Sequence, residues 1–182
     1  MNESKVNRSP PVRIAWNTLD SFVRSGIIPE AENSAAGTAE SKDSSLTGRA
    51  GCFVSLKKKG ELRGCIGTIA PTTDSIEKEI IRNAVAACSE DPRFDPVEAS
   101  ELEDLSVSVD ILGSPEVVTS KADLDPSRYG VIVTAGFARG LLLPDLEGVD
   151  TVDKQLAIAC RKGGIDPASV YQIQRFTVTR YY

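Results

Sequence analysis

The sequence predicts an α+β fold, a largely antiparallel sheet with helices packed on it. Three observations carry this. Apolar residues recur at helical spacing in three separate segments. Between them lie short alternating runs joined by turn residues, as in hairpins. Helices that separate groups of hairpin-joined strands favour α+β over a doubly wound parallel sheet. The 182 residues, 41% hydrophobic and 26% charged, suffice for one domain or two tightly joined lobes around a core of small aliphatics.

The first helix is expected at about 12–25. Val12, Ala15, Trp16, Leu19, Phe22 and Val23 make its stripe and Gly26 its stop. Residues 29–45 carry few large apolar side chains and read as a mobile loop. A hairpin follows: Cys52–Leu56, a turn at Lys57–Gly60, and a return strand at Leu62–Ile69. The second helix begins near Asp74, with Asp74 and Glu77 at capping-box spacing and Ile76, Ile80, Ala84, Ala87 and Cys88 as its stripe. Pro92 and Pro96 keep residues 91–96 irregular. Ser106–Leu112 alternates, placing Val107, Val109 and Ile111 on one face and Asp110 on the other, where it lines a site or meets water. Gly130–Thr134 and Gly140–Leu143 form a strand pair that turns near Gly136. A third helix at about 151–161 ends at Gly163-Gly164, and one strand within 172–181 closes the chain.

Several function classes fall away. The net charge of −5 argues against a dedicated nucleic-acid binder. No apolar run is long enough to cross a bilayer, and Met1–Lys5 leads to no apolar signal core. Cys52, Cys65, Cys88 and Cys160 lack CxxC or compact disulfide spacing, so a cytoplasmic location is expected. With no histidine, Ser-His and Cys-His pairs and the common zinc ligand sets are absent, and no metal site is expected. No phosphate loop, dinucleotide fingerprint or serine-hydrolase elbow occurs, so no cofactor is expected.

The chemical signal lies in Leu62-Arg63-Gly64-Cys65-Ile66-Gly67-Thr68. On an extended strand Leu62 and Ile66 share the buried face, while Arg63 and Cys65 share the other. A guanidinium beside a thiol favours the thiolate, which makes Cys65 a candidate nucleophile and Arg63 a candidate stabiliser of the thiolate or of a bound anion. Gly64 and Gly67 permit close approach of a ligand or of another backbone, and a bulge at either would reverse the facing. A small buried cysteine beside a surface ion pair fits the same spacing. The register of the hairpin decides whether Cys52 shares a face with Cys65. Arg93, between two prolines, either reaches into a site or pairs with Asp91 or Asp95. The Arg93 loop is expected to wall the signature strand.

The run Leu62–Thr68 resembles the signature of the AMMECR domain family. Five further blocks, in order, resemble that family as well: Gly51–Leu56, Asp91–Val97, Val107–Leu112, Gly140–Pro144 and Cys160–Ile165. Two positions depart from its pattern, Gly163 for an alanine and Asp95 for a proline. The resemblance implies a single domain over 1–182, of α+β fold with two unequal lobes and a cleft near the signature. It implies association with Memo-like and radical-SAM proteins, and no settled activity. Two readings follow. In one, the signature is a ligand-binding or catalytic site for an unknown small molecule. In the other, it is a docking surface without catalysis.

Overall fold

The computed structural model describes residues 8–31 and 46–182, so most of the loop expected at 29–45 lies outside the described residues. The fold is α+β with two antiparallel sheets. It divides into two compact units: residues up to Ile111 with Arg180–Tyr182, and Leu112–Thr179. No helix among the described residues is long and apolar enough to cross a membrane.

The first unit begins with α1, Pro10–Ser25. Prolines open the helix, where a missing N–H costs nothing, and Gly26 closes it at φ 70°. β1, Cys52–Lys58, and β2, Glu61–Gly67, form a hairpin. The turn is shorter than the sequence suggested, only Lys59-Gly60. Both residues have positive φ, 52° and 90°, the type I′ geometry that matches strand twist. α2, Ile76–Ser89, is capped by Ser75 rather than Asp74: the Ser75 hydroxyl accepts from the Lys78 N–H. Asp74 instead holds the Lys78 ammonium at 2.8 Å. A 3-10 turn at Ala99–Asp104 leads into β3, Leu105–Leu112.

These elements surround one core. Val12, Leu19, Cys52, Val54, Leu56, Ile80 and Val109 are buried in it, and burying each large aliphatic side chain contributes about 1.5–3 kcal/mol. The expected alternation of β3 holds for Val107 and Val109, but Asp110 on the other face does not meet water. It is buried, and Arg180 donates to it from Nε at 2.7 Å and Nη2 at 3.1 Å.

In the second unit, β4 (Glu116–Val118), β5 (Gly130–Ala135), β6 (Ala138–Leu142) and β7 (Gln172–Phe176) form a sheet in the order β4-β7-β5-β6. α3, Val152–Lys162, packs Leu156, Ala159 and Cys160 against Val131 and Val133. The single closing strand expected from the sequence is two. β7 ends at Phe176, and β8, Val178–Tyr181, belongs to the first sheet, whose order is β2-β1-β3-β8. Periodicity runs through Thr177 unbroken because it records which way side chains face, not which strand they pair with.

One contact positions the candidate site. A Cβ built on Gly64 would lie 2.2 Å from the carbonyl oxygen of Ala87, so β2 and α2 touch backbone to backbone there. Gly64→Ala is expected to destabilise the protein by about 1–3 kcal/mol or more, because neither backbone can yield cheaply. A urea unfolding midpoint as high as the parent's would refute this contact.

Candidate functional site

The hairpin register places the signature. Ser55 pairs with Cys65 and Leu56 with Gly64, but Lys57 pairs with Leu62, so Arg63 is an extra residue in a β-bulge. The bulge reverses the facing of everything before it. Leu62, expected to be buried with Ile66, stands 41% exposed beside Lys57. Ile66 is partly buried against the core, opposite Val54. A two-residue turn alone would have put Cys52 and Cys65 on one face. With the bulge they face opposite ways, and Cys52 is wholly buried while Cys65 is half-buried. Burial pushes the Cys52 thiol up to about 12 and the Cys88 thiol up to about 11, so both stay protonated.

Arg63 turns away from the thiol toward the 3-10 turn. Its Nη2 and Nε donate to the two oxygens of Glu101 at 2.8 and 3.0 Å, and Nη1 donates to the Asp95 carbonyl at 2.9 Å. Lys58 Nζ reaches the same carboxylate at 2.8 Å. The Arg63 guanidinium and the Lys58 ammonium hold the Glu101 carboxyl near 2. The thiol of Cys65 has the Ser55 hydroxyl at 3.2 Å.

Arg93 sits against the signature, as part of a clasp on Cys65. The buried Asp91 carboxylate accepts the Cys65 N–H at 2.8 Å and both Nε (2.9 Å) and Nη2 (2.7 Å) of Arg93. Arg93 Nη2 donates to the Cys65 carbonyl at 3.2 Å. The Arg93 guanidinium, with the Cys65 N–H, holds Asp91 well below the usual carboxylate range. β2 is an outer strand, so these side chains satisfy one peptide on its free edge.

At the other end of β2, Thr68 belongs to a second network. Its hydroxyl donates to the buried Glu79 carboxylate at 2.6 Å, and the N–H groups of Thr72 and Thr73 donate to the same group at 2.8 Å each. Burial raises the Glu79 carboxyl, but these hydrogen bonds outweigh it and hold it at about 2. Asn83, also buried, donates Nδ2 to the Cys52 carbonyl at 2.9 Å and to Thr68 Oγ1 at 3.3 Å.

A cavity of about 480 Å³ lies beside this end of the strand. Ile66, Gly67 and Thr68 line one side, the Lys78–Glu90 face of α2 another, and Ile28, Pro29 and Ala31 a third. Leu62, Arg63, Gly64, Cys65 and Arg93 do not line it. The expected site is thus two places: a clasped strand edge at Cys65, and a groove starting at Ile66. The sequence offered Asp91 as one partner of Arg93, which the structure bears out, but gave no sign that Asp91 also holds the Cys65 N–H, nor of the roles of Glu101, Glu79 and Asn83. Three of these four are acids, and their signal was the unusual chance of burial, which spacing does not carry.

Glu101 gains stability from its partners only while ionised. Its contribution is fully present above about 4.5 and is lost as pH falls toward 2. Glu101→Gln is therefore expected to lower stability by about 1–3 kcal/mol at pH 7. The deficit should shrink through that acid window as the parent carboxyl protonates. Equal unfolding midpoints at pH 7 would refute the role.

Comparison with known proteins gives a consistent result. The AMMECR1 family model matches residues 12–182. A protein of Clostridium acetobutylicum is 49% identical over 178 residues, covering 97% of this chain and 36% of that protein. The chain thus spans about a third of that relative's length. A protein of Thermotoga maritima is 47% identical over 181 residues, covering 97% of this chain and 99% of the other. The crystal structure of an uncharacterised protein from Pyrococcus horikoshii superposes with a TM-score of 0.78 at 29% identity, covering 93% of this chain and 88% of that one.

Proposed function

This chain belongs to the AMMECR1 family, and from that premise we propose that it is a ligand-binding domain whose site is the groove between Ile66–Thr68 and α2. The cavity of about 480 Å³ carries this reading, since small-molecule sites are concave, mostly apolar and furnished with a few placed polar groups. Here the apolar walls are Ile66, Ile81, Val85 and Ala86, and the polar groups are Arg82, Lys78 and Asn83. The reading needs no chemistry at Cys65, which lies outside the lining. The test is to fill the groove. Native mass spectrometry after incubation with a metabolite extract should detect an adduct on the parent protein and none on Ala86→Trp. At a hundredfold excess over Kd the bound ligand adds about 2.7 kcal/mol, which raises Tm by several degrees. A parent protein that retains nothing, or a filled variant that retains the same adduct, removes the reading.

A second reading has its own observation. Leu62 stands exposed on the outer strand, and the Arg93 side chain, which reaches the Cys65 carbonyl of the same strand, is 53% exposed. An apolar and an arginine side chain on an open surface suit a docking site, and the partners implied by the family resemblance are Memo-like and radical-SAM proteins. Leu62→Glu should weaken binding to a Memo-like protein about tenfold or more, with circular dichroism and melting unchanged. An unaltered Kd in a calorimetric titration eliminates this surface.

A further inference from the structure

The groove has a direction. Lys78, Ile81, Arg82, Val85, Ala86 and Glu90 recur every three or four residues and form one face along α2 and its cap. The cations stand toward the helix start and Glu90 at its end. Arg82 and Glu90 are about 12 Å apart along the axis at 1.5 Å per residue. Lys78 is already engaged by Asp74. Arg82 donates to the Thr72 hydroxyl and has no carboxylate partner among the described residues.

Two unanswered backbone groups and one side-chain oxygen face this space. In an antiparallel pair, alternate residues turn both peptide groups away from the partner strand. The Thr68 N–H donates inward to the Cys52 carbonyl at 2.9 Å, so Gly67 and Cys65 turn outward. Asp91 and Arg93 close the Cys65 peptide. Among the described residues, no side chain or loop closes that of Gly67, which lines the groove. Asn83 is 2% exposed. Its amide orientation is fixed, because the Cys52 carbonyl can only accept and the Thr68 hydroxyl proton is directed at Glu79. That leaves Asn83 Oδ1 with no donor among the described residues, on a residue that lines the groove. A ligand N–H in the groove supplies that missing donor.

We propose that the groove takes the carboxyl-terminal end of an extended acylated dipeptide or longer peptide. Its amide pairs with the outward peptide of Gly67 as an added strand segment. A further N–H meets Asn83 Oδ1, the apolar last side chain lies on Ile66, Ile81 and Ala86, and the carboxylate meets Arg82. An apolar acid without amides leaves both Gly67 and Asn83 unanswered. This inference rests on the ligand-binding reading above and specifies its ligand class.

The test is a titration of the full chain with N-acetyl-alanyl-leucine, followed by proton–nitrogen NMR. The amides of Gly67, Ile81 and Ala86 should shift with saturation, and octanoate at equal concentration should leave them unmoved. The carboxamide form of the dipeptide and the variant Arg82→Gln should each bind about tenfold more weakly, while Arg82→Lys should recover most of the loss. A longer acetylated peptide ending in Ala-Leu separates the two sources. Equal or tighter binding assigns the groove to a protein tail, weaker binding to a small acylated dipeptide, and both uphold the pairing. Octanoate matching the dipeptide, or no shift up to about 10 mM, a range where even weak millimolar binding would register, overturns the proposal. If Ala86→Trp abolishes a metabolite adduct while the dipeptide fails, the ligand-binding reading stands and only this ligand class falls.

Discussion

The backbone of α2 rests on the backbone of β2 at Gly64, and much of the first unit follows from that contact. A side chain at this position would strike the Ala87 carbonyl. Ala87, Ala84 and Ile80 on the helix reach the core only because the strand beneath is bare at that point. The bulge at Arg63 brings Gly64, rather than its neighbour, to the core face opposite Leu56. The same bulge leaves Arg63 free of the ladder's alternation and within reach of Glu101, and turns Leu62 outward.

The second unit uses the same device. A Cβ on Gly140 of β6 would lie 1.9 Å from the Ala159 carbonyl of α3, and one on Gly163 would lie 2.6 Å from the Gly140 nitrogen. In each unit a strand glycine lets a helix carbonyl settle on the sheet. Close helix–strand contact removes room for water, so the polar groups nearby must be answered by the protein. Gln155 shows how little slack remains: it is buried, its Nε2 donates to the Tyr129 carbonyl, and its Oε1 has no partner among the described residues.

Around the first contact, acids do the fastening. Glu79 gathers the Thr68–Thr73 loop, Asp91 holds the Cys65 peptide with Arg93, and Glu101 receives Arg63 and Lys58. Each sits where its charged form accepts several donors, which is what keeps a buried carboxylate ionised. These fastenings fix the strand at Cys65 and at Thr68, and no described residue covers the Gly67 peptide between them. The signature therefore contains both a sealed position and an open one, two residues apart.

The sequence by itself determined the elements and the neighbourhood of interest. Apolar spacing placed α1, α2 and α3 within two residues or so, turn residues placed the hairpins, and the glycine-bracketed Arg63-Gly64-Cys65-Ile66-Gly67 run marked the strand that the groove borders. Those features are local: a stripe or an alternation is written into side chains a few positions apart. Tertiary structure alone decided the facing of Leu62, the burial of Asp110 against Arg180, the splitting of the last strand at Thr177, and the partners of Arg63 and Arg93. Each depends on residues far apart in the chain, and one added residue in a strand reverses every inference drawn from its period. A carboxylate reads the same in sequence whether it meets water or a guanidinium. Only the packing that brought Glu101 to Arg63 and Asp91 to Cys65 made that distinction.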